Sequence, residues 1–223
     1  MRTERPDLDS IVAGLAHTMV RLTVDEQRTA TELYCLLAEG RPVSMARLAG
    51  GVRRSVEQVK RGLNAGGLKN LVYTDGTGSV IGFAGLAIDP THHRLTVGGR
   101  TLYTWCAWDG LFIPGVLGET ASIESKCPVT DRTVRVSLAP RRLNSVDPRE
   151  AVVSFVLPED QLFEQSTQET ISGFCRYVYF FASADVGAGW TAQHEGTFLL
   201  SAQEAFELGQ RYNALRFGAV LKS

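Results

Sequence analysis

The sequence predicts an α+β protein: a winged-helix-like helical domain over residues 1–85, then a larger mixed α/β-sheet domain over residues 86–223. Three observations predict it. Apolar residues recur at three- and four-residue spacing through the first third of the chain, the signature of one-sided helices. Asp75-Gly76-Thr77-Gly78 separates two short apolar runs, as a hairpin turn does. Beyond residue 86, alternating segments dominate until a final amphipathic stretch.

Taken in order, Ile11–Leu22 and Ala30–Glu39 read as helices, the second ended by Gly40 and kept from continuing by Pro42. Ser44 caps a short helix, Met45–Ala49, closed by Gly50-Gly51. Ser55 opens another, with Val56, Val59 and Leu63 on one face, stopped by Gly66-Gly67. Leu68–Tyr73 and Val80–Phe83 are the strands of the hairpin. Leu95–Val97 and Leu102–Tyr103 bracket a Gly98-Gly99 turn. Cys106–Leu117 has helical spacing, which Pro114 is expected to kink or shorten. Ser122–Glu124, Thr133–Leu138 and Val152–Leu157 alternate as strands do. Cys175–Phe181 reads as the most buried strand, and Ala202–Phe217 as the closing helix.

Composition narrows the class. Of 223 residues, 44% are hydrophobic and 21% charged, and the net charge is −1, so no global basic field draws the protein to nucleic acid or acidic lipid. The opening Met1-Arg-Thr-Glu-Arg-Pro-Asp7 carries no apolar leader, and no run approaches the ~20 apolar residues of a membrane span. A cytoplasmic protein without a membrane partner is expected. The helix-turn-helix pattern, with Arg53, Arg54, Lys60 and Arg61, has two readings: phosphate contact, or a solvated face on a module that packs against its neighbour. Few basic residues in the wing, Asp75–Ser79, favour the second, so no nucleic-acid partner is expected.

The chemistry gathers at cysteines. There are four, Cys35, Cys106, Cys127 and Cys175, with no CxxC pair to signal a zinc ribbon or a thioredoxin-type site. Cys35 lies in an apolar helical run and reads as core. His92-His93 reads as a solvated turn, since neighbouring strand residues point to opposite faces. No histidine stands in a context that suggests a Cys–His nucleophile. Cys106 and Asp109, three apart on a helix, share a face. An ionised Asp109 opposes thiolate formation at Cys106, so the two titrate together and hold a proton between them. That suits capture of a soft electrophile on sulfur better than simple nucleophilic attack. On residue type alone, a buried structural Cys106 is an equal reading.

Several segments in order carry a family resemblance. Arg100-Thr-Leu-Tyr-Thr-Trp-Cys-Ala-Trp-Asp-Gly-Leu-Phe-Ile-Pro114 and Ser125-Lys-Cys-Pro-Val-Thr130 resemble the central motifs of bacterial organomercurial (alkylmercury) lyases. Gly173-Phe-Cys-Arg-Tyr-Val-Tyr-Phe-Phe-Ala-Ser183 is similar to their second cysteine motif. Glu204-Ala-Phe-Glu-Leu-Gly-Gln210 and Glu39-Gly-Arg-Pro-Val-Ser44 fit as well. The resemblance implies that residues 86–223 form a catalytic domain, with Cys106, Asp109 and Cys175 as the catalytic trio and as the groups that meet substrate and product mercury.

It further implies a structural role for Cys127, no cofactor, and an external thiol for turnover. The implied partners are an organomercurial substrate, cellular thiols and a mercuric reductase that receives Hg(II). Trp105, Trp108, Phe112 and Phe174 are the expected walls for the organic group, although each also reads as ordinary core. The chain departs from the pattern at Trp108, where a smaller aliphatic residue is expected, and at Arg176, where some members carry another cysteine. The competing reading is a mercury- or thiol-responsive winged-helix regulator, which gives Asp109 no role. A metal-buffering protein, binding mercury without releasing hydrocarbon, is a third.

Overall fold

The computed structural model describes residues 5–158 and 166–221, and its helices begin where short polar side chains cap them. Asp7 caps α1 (Leu8–Thr18), and Thr23 with Glu26 forms a capping box on α2 (Val24–Leu37). Ser44 caps α3 (Met45–Gly51), and Ser55 with Gln58 boxes α4 (Val56–Leu63). The first helix therefore ends four residues before the expected Leu22. The second starts six before Ala30, because its opening turn is held by the cap rather than by apolar spacing.

A 3₁₀ turn at Gly66–Leu68 leads into the hairpin β1 (Val72–Thr74) and β2 (Val80–Phe83), so its first strand is shorter than Leu68–Tyr73. Then come β3 (Leu86–Ala87), β4 (His93–Val97) and β5 (Arg100–Thr104). The central helix α5 (Ala107–Leu117) precedes β6 (Ala121–Lys126), β7 (Thr133–Ala139), β8 (Arg142–Asp147) and β9 (Val152–Val156). After α6 (Thr167–Gly173) and a 3₁₀ turn at Cys175–Tyr177 come β10 (Phe180–Phe181), α7 (Ala184–Thr191), β11 (Thr197–Ser201) and α8 (Ala202–Phe217).

Among the described residues, eight strands make one antiparallel sheet in the order β1-β2-β3-β5-β4-β6-β7-β8, and β10-β9-β11 make a second. The short β3 joins the wing hairpin to the larger sheet, pairing Phe83 with Leu86 on one side and Leu86 with Thr104 on the other. One sheet thus crosses from the N-terminal helical stretch into the rest of the chain. No described helix is long and apolar enough to cross a membrane.

Two sequence expectations are corrected here. Pro114 does not shorten α5, which runs on to Leu117 and is closed by Gly118 at φ 69°. The helix is buried on every side from Ala107 to Pro114, so packing fixes it where propensity would not. Gly110 is part of that packing, since a β-carbon there would lie 2.8 Å from Ile123. The second correction is the run Cys175–Phe181, which is not one strand: its first three residues form the 3₁₀ turn and only Phe180–Phe181 pair.

Two side-chain placements also differ. Cys35 is exposed, not core, because Leu33, Tyr34 and Leu37 take the inward face of α2 and the residue after Tyr34 turns outward. His92 is exposed, but His93 is a strand residue, 2% exposed, with Nδ1 2.6 Å from Ser125 Oγ. Burial lowers the His93 pKa to about 3, so the ring is neutral.

Candidate active site

The site forms where β5 hands over to α5. Cys106 is the N-cap of α5, and Asp109, in its first turn, turns back so that Oδ2 accepts the Cys106 N–H at 2.8 Å. Thr104 Oγ1 donates to the Cys106 carbonyl at 2.8 Å and pins the approach. The spacing that placed Cys106 and Asp109 on one helix face is therefore a capping geometry, and it fixes the carboxylate against the thiol.

Cys175 arrives from the other side. Its 3₁₀ turn is held by Ser154, whose Oγ donates to the Tyr177 carbonyl at 2.6 Å and accepts the Tyr179 N–H at 3.0 Å. Ala107 N–H donates to the Val178 carbonyl at 3.1 Å, tying the turn to the start of α5. The two sulfurs and a carboxylate oxygen of Cys106, Asp109 and Cys175 consequently lie within 4.8 Å of one another, and all three residues are buried. Two thiols beside one carboxyl can hold a soft, thiophilic metal and still move a proton at it.

Burial sets the protonation of the trio. It raises the Asp109 pKa to about 7, outweighing the thiol and backbone hydrogen bonds from Cys106 that pull it down. The positive end of α5 also favours the carboxylate, but within a first turn that effect is worth only about 1 kcal/mol. Burial likewise pushes Cys106 well up, reinforced by its hydrogen bond to Cys175 and by the charge of Asp109. At Cys175 the hydrogen bond from Cys106 favours the thiolate, yet burial and Asp109 prevail and the pKa is raised. The trio shares protons and does not present a free thiolate. No histidine belongs to it.

Asp109 and Cys175 open into a small cavity of about 50 Å³ that is partly open to solvent, whereas Cys106, fully buried, lies behind them. Trp105, Trp108, Phe112 and Phe174 all line this cavity. Trp108 is a rigid wall: its Nε1–H donates to the Ala205 carbonyl at 3.1 Å, and its ring packs against Phe112, Phe155, Phe174 and Tyr212. Arg176 is exposed, with its guanidinium over the Tyr177 ring. Cys127 is buried against Phe181 and Ala182 at the turn after β6 and is not part of the trio.

Sequence reasoning missed the cavity's other side. Met19, Leu71, Tyr212 and Arg216 line it, as do Ala84 and Gly85 of the β2–β3 turn. Only Gly85 carried a usable signal. Its φ is +99°, and a β-carbon there would lie 2.5 Å from Asp109 Cγ, so only glycine lets the turn press on the carboxyl. The turn is fixed by Tyr34, whose hydroxyl donates to the Ala84 carbonyl at 2.7 Å, and by Trp105 N–H donating to the Gly85 carbonyl at 2.8 Å.

The chain is similar to known proteins. A family model described as alkylmercury lyase matches residues 86–213, and one described as the helix-turn-helix domain of alkylmercury lyase matches residues 14–84. An alkylmercury lyase of Staphylococcus epidermidis is 38% identical over 182 residues, 82% of this chain and 80% of that protein. Alkylmercury lyases of Streptomyces lividans and Pseudomonas putida are 38% and 36% identical over 80% and 78% of this chain, and over 78% and 77% of their own lengths. A solved structure described as the mercury-bound form of MerB2 has a TM-score of 0.74, covering 95% of this chain and 99% of that one at 19% identity, which speaks to the shared fold.

Proposed function

The chain belongs to the alkylmercury lyase family and is an organomercurial lyase; we propose that it cleaves the carbon–mercury bond at Cys106, Asp109 and Cys175. The observation that supports this reading is the closeness of two thiols and one carboxyl, within 4.8 Å, behind an aromatic-walled cavity.

The substrate is an organic group on mercury carried by a small thiol, R–Hg–SR′. Cys175, which faces the cavity, meets it first: its sulfur bonds to mercury, and the displaced thiolate leaves with the Cys175 proton as R′SH. Cys106 then adds its sulfur and passes its proton to Asp109. Mercury now carries two sulfurs and one carbon, and the extra donation loads negative charge onto that carbon. Asp109 delivers the proton to it, the carbon–mercury bond breaks, and R–H leaves. Hg(II) remains on two thiolates.

Two external thiols then remove the metal and return a proton to each cysteine. No electron changes hands, so no redox cofactor is required. The near-neutral pKa of Asp109 suits a group that must first accept and then donate a proton. Cellular thiols in the cytoplasm supply both the carrier and the release step, and a mercuric reductase is the natural acceptor of the Hg(II).

The test is benzene in the headspace over protein, phenylmercury and excess thiol. Cys106→Ser and Cys175→Ser should each reduce benzene release by at least ~10³-fold, as loss of a group that bonds to the reacting atom does. Turnover close to the unsubstituted rate in either variant removes the two-thiol mechanism. Mercury bound stoichiometrically by the unsubstituted protein, with no benzene formed, would instead mark a buffer or sensor.

A further inference from the structure

The cavity does not close on aromatic rings alone. Along α8, Tyr212 and Arg216 stand four residues apart on one helix face and line the cavity with Met19, which follows α1. Arg216 is half-buried and donates to the carbonyls of Val20 at 2.5 Å and Gly67 at 3.2 Å. Those bonds use part of a five-donor fork and neutralise none of its charge. Among the described residues no carboxylate forms an ion pair with Arg216. The acid that feels it, Glu26, is already held by Thr23 and by the Gly67 N–H. Arg216 also hydrogen-bonds the hydroxyl of buried Tyr212, and Arg216 and Asp109 both line the one cavity.

We propose that Arg216 is a specificity-determining residue that recognises an anionic substituent on the organic group, and that the favoured substrates are arylmercurials bearing a carboxylate or sulfonate opposite the mercury. The inference rests on the trio being the lyase centre. Mercury is captured at the sulfur end, so the organic group occupies the cavity until carbon is protonated. Its aromatic body meets Trp108, Phe112 and Tyr212, and an anion at its far end meets the Arg216 guanidinium, which has no ion-paired carboxylate among the described residues. An anion could also arrive on the carrier thiol, but that group departs when Cys175 takes the mercury. The organic group is the part that stays.

The test compares kcat/KM for 4-carboxyphenylmercury and phenylmercury in excess 2-mercaptoethanol, an uncharged carrier. The ratio should be about tenfold in favour of the carboxylate, the scale of one charge-assisted pair at a partly exposed site. It should fall to one or below in Arg216→Met and lie between in Arg216→Lys, which keeps the charge and loses the fork. Rising salt should shrink it. A ratio of one in the unsubstituted protein overturns the proposal without recourse to a variant, as does a tenfold ratio that survives in Arg216→Met. With mercaptoacetate as carrier, phenylmercury should gain nothing; a gain of similar size would move the anion to the carrier and overturn the assignment. Failure of the lyase reading is separate, because it would leave both mercurials uncleaved.

Discussion

Asp109 sits in the fold at a cost that its proposed chemistry explains. Its carboxyl pKa is raised from 3.8 to about 7 by burial, so the folded protein holds this proton more tightly than the unfolded chain does. The sign follows from that order. Below pH 3.8 the carboxyl is protonated in both states and nothing is lost. Between 3.8 and about 7 the unfolded chain releases the proton while the fold retains it, and stability falls as pH rises. Above about 7 the loss is complete, at most on the order of 4 kcal/mol for three pKa units. Asp109→Asn keeps the shape and the acceptor for the Cys106 N–H but never ionises. It should raise the melting temperature by several degrees at pH 8 and leave it nearly unchanged at pH 4. Equal melting temperatures at pH 8 would show that the carboxyl is solvated and its burial unimportant.

At the scale of elements, the site is a junction of three short pieces: the cap of α5, the 3₁₀ turn at Cys175 and the β2–β3 turn. The first was legible, because three-residue spacing on a helix is a local rule. The second was not, since Cys175–Phe181 is apolar enough to pass for a strand and the bend is imposed by Ser154, more than twenty residues away. Similarly, His93 reads as polar until Ser125 on the neighbouring strand supplies its partner. The third piece makes the sharpest prediction. Gly85→Ala combines a strained φ of +99° with overlap on Asp109, so it should destabilise the fold by about 2–3 kcal/mol in chemical denaturation and cut benzene release more than phenylmercury binding. Unchanged stability and activity would mean that the turn does not press on the carboxyl.

For the whole molecule, the strand pairing matters more than the boundary near residue 85. The first 85 residues supply two strands of the common sheet, the Gly85 contact on Asp109 and the Met19 and Leu71 walls. Two of the basic side chains near the helix-turn-helix are already engaged: Arg47 with Glu39, and Arg54 with Asp25 at 2.6 Å. Fold class and the order of most elements could be read from periodicity and caps; this docking could not, because it depends on pairings such as Leu86 with Thr104 that no local pattern announces. Residues 86–223 alone would leave the two-residue β3 as the unpaired edge beside β5, and α5 without its contact to α2. That fragment should lack a cooperative unfolding transition and release no benzene, and a stable, active fragment would refute the shared architecture. The proposed chemistry turns on Asp109 carrying the proton to carbon at a two-thiol centre. In a single turnover of stoichiometric phenylmercury on Asp109→Asn, phenylmercury should be bound through sulfur with no benzene in the headspace; benzene at the rate of the unsubstituted protein would mean that another group supplies the proton.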